Sequence, residues 1–238
     1  RSGQLDLAGI QKVVILAGAG DLEVTGSTST SRLEARGKAC ASSQALLDQT
    51  RITVRRDGST ATVETNMPED NDGHSSIDLV VTLPSNLAVE AQDSSGDARL
   101  RGLKSLSIQD SSGDLNIESI AQLAQVRDSS GDIEIEKAGD VRLEDSSGDI
   151  EVEEIHGDVE VTSDSSGEIR IEEIGGKVHI AQDSSGGIHV AKVKGSVSID
   201  SDSSGAIDVD TIGGDFTVTD DSSGGVKHRN VTGKVSVP

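Results

Sequence analysis

From residue 91 to the end, the chain alternates β-branched and polar residues in short runs. Leu115-Asn116-Ile117, Ile133-Glu134-Ile135, Ile150-Glu151-Val152, Ile169-Arg170-Ile171, Ile188-His189-Val190 and Ile207-Asp208-Val209 share one phase. Strict alternation of this kind predicts short strands with one buried face. A connector follows each run, as in Glu154-Ile155-His156-Gly157 or Glu173-Ile174-Gly175-Gly176, and then a second apolar pair. These pairs are Val141 and Leu143, Val159 and Val161, Val178 and Ile180, and Phe216 and Val218. No window from 91 to 238 sets apolar residues at i, i+3, i+4 and i+7 over three turns, so no helix is predicted there.

The strands are phased by Asp-Ser-Ser-Gly, which occurs eight times, beginning at Asp93, Asp110, Asp128, Asp145, Asp164, Asp183, Asp202 and Asp221. The spacings are 17, 18, 17, 19, 19, 19 and 19 residues. A period near twenty residues is the signature of a solenoid. Each unit reads as strand, Gly turn, strand, corner. Two such strands cannot close a core alone, but stacked about 4.8 Å apart they bury a continuous apolar column. Eight rungs would span roughly 40 Å at that spacing. The predicted fold is therefore all-β: a single-stranded parallel β-helix (β-solenoid) with about eight rungs of 17–19 residues. Right-handed coiling is the default for parallel crossovers.

At the corner, counting back by twos from the buried pair turns the Gly and first Ser inward and the Asp and second Ser outward. In the 19-residue units an apolar residue lies three before the Asp (Val161, Ile180, Ile199, Val218). In three earlier units it lies two before (Ile108, Val126, Leu143), so the shorter rungs are expected to absorb the difference through a bulge or tighter corner. Gly suits a sharp corner. Asp and Ser can accept bonds from backbone N–H groups one or two residues on.

The first part of the chain lacks the motif yet is strand-like. Candidate strands are Val13 to Leu16, Leu22 to Val24, Ile52 to Val54, Ala61 to Thr65 and Ile77 to Leu83. Gly18-Ala19-Gly20-Asp21 and Asp57-Gly58 supply turns. Ala41 to Asp48 fits a short helix or a loop, and Met67 to Ser76, with Pro68, Asp70, Asn71, Asp72 and Gly73, reads as an exposed loop. Residues 1–76 are expected to form an atypical β-rich cap or degenerate rungs, and 77–238 the β-helix repeat region.

Charge narrows the partners. The formal net charge is −21 over 238 residues. Residues 1–90 carry −4 of it and residues 91–238 carry −17. Such an excess of carboxylates repels nucleic acid and anionic membranes. Phe216 is the only aromatic residue of the Phe, Trp and Tyr class, which argues against platforms for stacking sugars or bases. Cys40, the single cysteine, is expected to be a buried or idle thiol. No run of 18 apolar residues appears, so no membrane-spanning helix is expected. The chain opens on Arg1, as a trimmed or mature exported protein would.

Several stretches resemble the "putative adhesin" family of exported bacterial β-strand-repeat (β-helix) proteins. They are Val13-Val14-Ile15-Leu16-Ala17-Gly18-Ala19-Gly20-Asp21-Leu22-Glu23-Val24, Ile77-Asp78-Leu79-Val80-Val81-Thr82-Leu83-Pro84 leading into Leu87-Ala88-Val89, and the Ser147 to Val152 type of strand. The resemblance implies a non-enzymatic exported protein of the cell envelope, at the cell surface or in the periplasm, and brings no catalytic residues with it.

The chemistry that the repeats offer is carboxylate chemistry. An outward column of Asp93, Asp110, Asp128, Asp145, Asp164, Asp183, Asp202 and Asp221 would set like charges about 5 Å apart, costing roughly 1 kcal/mol per pair even in water. Asp97, Asp114, Asp132, Asp149 and Glu168, then Glu136, Glu153 and Glu172, form adjacent acidic columns. One reading is metal binding, with Ca²⁺ as the cation. The simpler reading, preferred here, is that Asp caps the corner and its charge is solvated. The calcium repeat Gly-Gly-x-Gly-x-Asp of other β-helices is absent, as is an EF-hand loop. A water-ordering, ice-binding face is disfavoured by the charged ladder.

A carbohydrate-active β-helix enzyme, lyase or glycosidase, is the competing class. Against it, carboxylates recur on every rung and none is singled out. His74, His156, His179, His189 and His228 show no metal-ligand spacing, although His179 and His189 could approach one another. No serine stands in Gly-x-Ser-x-Gly. The last apolar residues, Val231, Val235 and Val237, precede Pro238 with no capping segment, so end-to-end self-association as a homodimer through the C-terminal rung, or a partner that covers it, is expected. The sequence thus predicts a structural or adhesin-like binding module with an unknown envelope ligand, cation-dependent in its more specific form.

Overall fold

The computed structural model describes residues 1–68 and 74–238. The chain is an all-β solenoid. Among the described residues the one helix is Gln44–Gln49, capped by Ser43, whose Oγ accepts from Leu46 N at 3.2 Å. The chain divides into two compact units, Arg1–Asn116 and Ile117–Pro238.

In the second unit each rung from Ile150 onward contributes one strand to each of two parallel sheets, and the continuous strand Ile133–Glu144 runs through both. In the first sheet Ile133 stands opposite Ile150, Ile150 opposite Ile169, Ile169 opposite Ile188, and Ile188 opposite Ile207. In the second, Val141, Val159, Val178, Val197 and Phe216 form one in-register column. Leu143, Val161, Ile180, Ile199 and Val218 form the next. Nearly all of these side chains are fully buried. At roughly 1.5–3 kcal/mol for each buried aliphatic side chain, these columns are the main cohesive term. Register is fixed because a slip of one residue would turn a column of Ile outward and a row of Glu, Arg and His inward.

The first unit reuses the rung but strings it out of chain order. Lys12–Leu16 pairs in parallel with both Thr60–Asn66 and Ala88–Gln92, and Leu22–Ser27 with both Ser75–Pro84 and Ala98–Arg101. The expected strands therefore form. Gly18-Ala19-Gly20-Asp21 is itself a corner: Gly20 has φ +116°, as Gly96 does, and Gly20 N donates to Ser95 O at 2.9 Å. Arg51–Asp57 and Thr60–Asn66 make an antiparallel hairpin over Asp57-Gly58. Two strands here were not expected. Arg32–Ala41 lies antiparallel to Ser75–Pro84 and to Ser2–Asp6. Its Ala-rich second half has no strong alternation, and only tertiary pairing makes it extended. Cys40, on this strand, is exposed rather than buried. Of the loop expected over Met67 to Ser76, residues 69–73 lie outside the described residues, and Ser75 and Ser76 instead begin the strand Ser75–Pro84.

Candidate functional site: the Asp-Ser-Ser-Gly corner

The corner reverses the expected orientation. Asp93, Asp110, Asp128, Asp145, Asp164, Asp183 and Asp202 are buried, and Asp221 is half-buried. The first Ser is mostly exposed and the Gly is not a core residue. Parity counted backward from the following strand fails because the corner is not extended: Gly131, Gly148, Gly167, Gly186, Gly205 and Gly224 have φ between +129° and +146°. Parity counted forward from the preceding strand succeeds in the short units, where Val126 and Asp128, or Leu143 and Asp145, share the inner face. The longer rungs, not the shorter ones, carry the bulge. Register jumps from Leu143 opposite Val161 to Glu144 opposite Ser163, so Thr162 is the inserted residue and Asp164 returns inside.

At five of the eight corners Asp Oδ1 satisfies an amide that the corner frees, as the sequence suggested. It accepts from the next residue at Asp93, Asp110 and Asp128, from Ser94, Ser111 and Ser129 N at 2.7–2.9 Å. It accepts from the second residue at Asp164 and Asp202, from Ser166 and Ser204 N at 3.2 and 3.1 Å. Two further ladders were not legible in the motif. The second Ser donates its hydroxyl to a corner carbonyl of the preceding rung: Ser147 to Ser129 O, Ser185 to Ser165 O, and Ser204 to Ser184 O, at 3.0–3.2 Å. The carboxylate after the Gly caps the next rung, Asp132 Oδ1 accepting from Asp149 N at 2.9 Å and Asp149 Oδ1 from Glu168 N at 2.8 Å.

Burial raises the pKa of the inner carboxyls. It pushes Asp93 up to about 7, with Asp110 adding repulsion, and Asp164 to about 6. Asp183 is pushed up to about 7 by burial and by the charges of Asp164 and Asp202. Asp110, Asp145 and Asp202 are raised by burial as well.

The opposite corner carries a feature no sequence signal announced. Ser119, Lys137, Glu154, Glu173, Lys192, Thr211 and Asn230 all hold φ between +51° and +61°. Only Asn favours that conformation among these types, so the stack imposes it. A shallow surface pocket of about 420 Å³ lies beside this column, lined by residues that include Glu154, His156, Glu173, Lys192 and Lys194. Lys192 bonds Glu173 at 2.9 Å.

The remaining candidates are placed as follows. Glu136, Glu153 and Glu172 stand in register, and partial burial, followed by the repulsion of neighbouring carboxylates, raises the pKa of Glu153. His179 Nε2 meets Asp200 at 3.0 Å and His189 Nε2 meets Glu172 at 3.8 Å, so each histidine takes a carboxylate partner. Among the described residues, no three His, Cys, Asp or Glu side chains converge as a metal site would require.

Parallel rungs, two sheets and bonded corners define a β-solenoid repeat protein. The chain belongs to the Toastrack DUF4097 family, whose description matches residues 10–237. Solved structures of similar fold include a putative adhesin from Parabacteroides merdae, 15% identical with a TM-score of 0.47, covering 100% of this chain and 95% of that one. A putative adhesin from Bacteroides fragilis is 13% identical with a TM-score of 0.43, covering 100% and 96%. A putative lipid binding protein from Parabacteroides distasonis is 14% identical with a TM-score of 0.48, covering 100% and 96%. No curated protein matches.

Proposed function

We propose that this chain is a non-enzymatic, exported module of the cell envelope, structural or adhesin-like. One observation carries the reading: the polar rows on the second unit repeat from rung to rung, and those at the corners are used in holding the stack together. Asp132 and Asp149 accept from the amides of Asp149 and Glu168 on the next rungs, and Asp140 and Asp158 accept from those of Asp158 and Lys177 at the opposite corner. A reaction centre needs a few groups set apart from their neighbours. Repetition instead suits a surface that meets an extended partner.

The test is attachment. Beads coated with the chain should bind intact bacterial cells above albumin-coated beads. Failure to attach, together with release of reducing ends from polysaccharides, would favour the carbohydrate-active class instead.

Cation dependence has less support, since the carboxylates first considered for it line the interior and serve as corner caps. A thermal melt in EDTA and then in millimolar Ca²⁺ or Mg²⁺ decides it. The expected result is no Ca²⁺-specific rise. A site at a hundred times its Kd would stabilise by about 2.7 kcal/mol, which a melt resolves.

A further inference from the structure

In the second unit the inner carboxyls are stacked on one another. Asp164 stands opposite Asp183, Asp183 opposite Asp202, and Asp202 opposite Asp221, at the rung spacing of about 4.8 Å. Asp183 and Asp202 are 0% exposed and Asp164 1%. Neither oxygen of Asp183, nor Oδ2 of Asp164 and Asp202, accepts a hydrogen bond of good geometry, and the nearby Ser184 and Ser185 amides offset only part of the upward shift at Asp183. The charged groups that act on the column are carboxyls themselves. Asp164 and Asp202 act on Asp183, Asp221 acts on Asp202, Asp149 acts on Asp164, and Asp132 and Asp164 act on Asp145. Among the described residues, no Lys, Arg or His is one of them.

Buried carboxylates at this spacing, without a counter-charge, cannot all ionise; the cheapest way to neutralise them is to keep protons. We propose that the buried Asp column is a proton-holding element, taking up protons as the solenoid folds, so that acid tightens the stack and alkali loosens it. The values of about 7 at Asp183 and about 6 at Asp164 agree with this geometry. They lie above the ordinary 3.8, so the folded chain binds these protons more tightly than the unfolded one. The resulting stability is fully present below about pH 4 and is lost as the pH rises through about 6 to 7.

General repulsion in an acidic protein also eases in acid, so the test needs a matched control. Urea midpoints are compared from about pH 5 to about pH 8, at constant ionic strength in EDTA, for the wild type, Asp183→Asn and Asp220→Asn. Asp220 is exposed, and its substitution removes the same single charge. The wild-type midpoint should fall as the pH rises. Asp183→Asn should exceed wild type at pH 8 and fall less, while Asp220→Asn keeps the wild-type slope. A flat or rising wild-type profile, or equal slopes for the two variants, overturns the proposal. So does Ca²⁺ in place of EDTA restoring the pH 8 midpoint to its pH 5 value, because a metal would then be the counter-charge. Should Asp183→Asn not fold, refolding of the wild type near pH 6 in weak buffer with an indicator dye gives the answer. Net proton uptake supports the proposal, and release or no change overturns it.

Discussion

At Gly186 the chain has no alternative residue. Its φ is +136°, and a Cβ there would run into the carbonyl oxygen of Gly167 in the neighbouring rung. Gly186→Ala is expected to cost roughly 3 kcal/mol or more, combining strain and overpacking. The next residue is the control: a Cβ on Gly187 meets only Ala206 O at 3.8 Å, so Gly187→Ala should stay within about 1 kcal/mol of wild type. Urea unfolding of the pair checks both. The opposite corner predicts a gain. Thr211 is exposed, β-branched and held at φ +61°, so Thr211→Asn should stabilise by about 0.5–1 kcal/mol. A loss of stability in that variant would mean that the Thr211 Oγ1 bond to Asp210 Oδ1 at 3.0 Å outweighs the backbone strain.

At the scale of the element, the alternation of Ile133, Ile135, Ile150 and Val152 announces a strand and its buried face, because period-two patterning maps directly onto a pleat. The corner was half legible. Composition identified Gly as the bend and Asp as the cap, yet the face to which Asp turns depends on the dihedral of the Gly and on the inserted Thr162. Neither has a residue-type signature. The column of Lys137, Glu154, Glu173 and Lys192 with positive φ was illegible for a plainer reason: these residues disfavour that conformation, and stacking overrides the preference. Arg32–Ala41 likewise owes its extension to its partners. The rung-to-rung bonds of exposed carboxylates yield a modest prediction. Asp149→Ala removes the acceptor of Glu168 N and should cost about 0.5–1.5 kcal/mol in a denaturant titration, with Asp149→Asn retaining most of it.

For the whole molecule, charge is the dominant long-range term. The net charge of −21 is organised into rows of like carboxylates, such as Glu136, Glu153 and Glu172, with Lys192 and Lys137 as local relief. Screening that repulsion should raise Tm between low salt and about 0.3 M NaCl, where the Debye length is well under 10 Å. A Tm that falls with salt would show that ion pairs such as Arg142 with Glu160 outweigh the excess. The repetitive stack that gives the protein its cohesion also explains why its sequence is eloquent about architecture and reticent about ligand: the conspicuous motif is spent on the corner.

The inward Asp-Ser-Ser-Gly corner is tested most directly by carboxyl titration in ¹³C NMR. The Asp183 carboxyl should titrate near pH 7 and that of Asp164 near pH 6, both well above exposed aspartates in the same spectrum. Midpoints at or below about 4 for both would place these side chains in solvent and contradict the account.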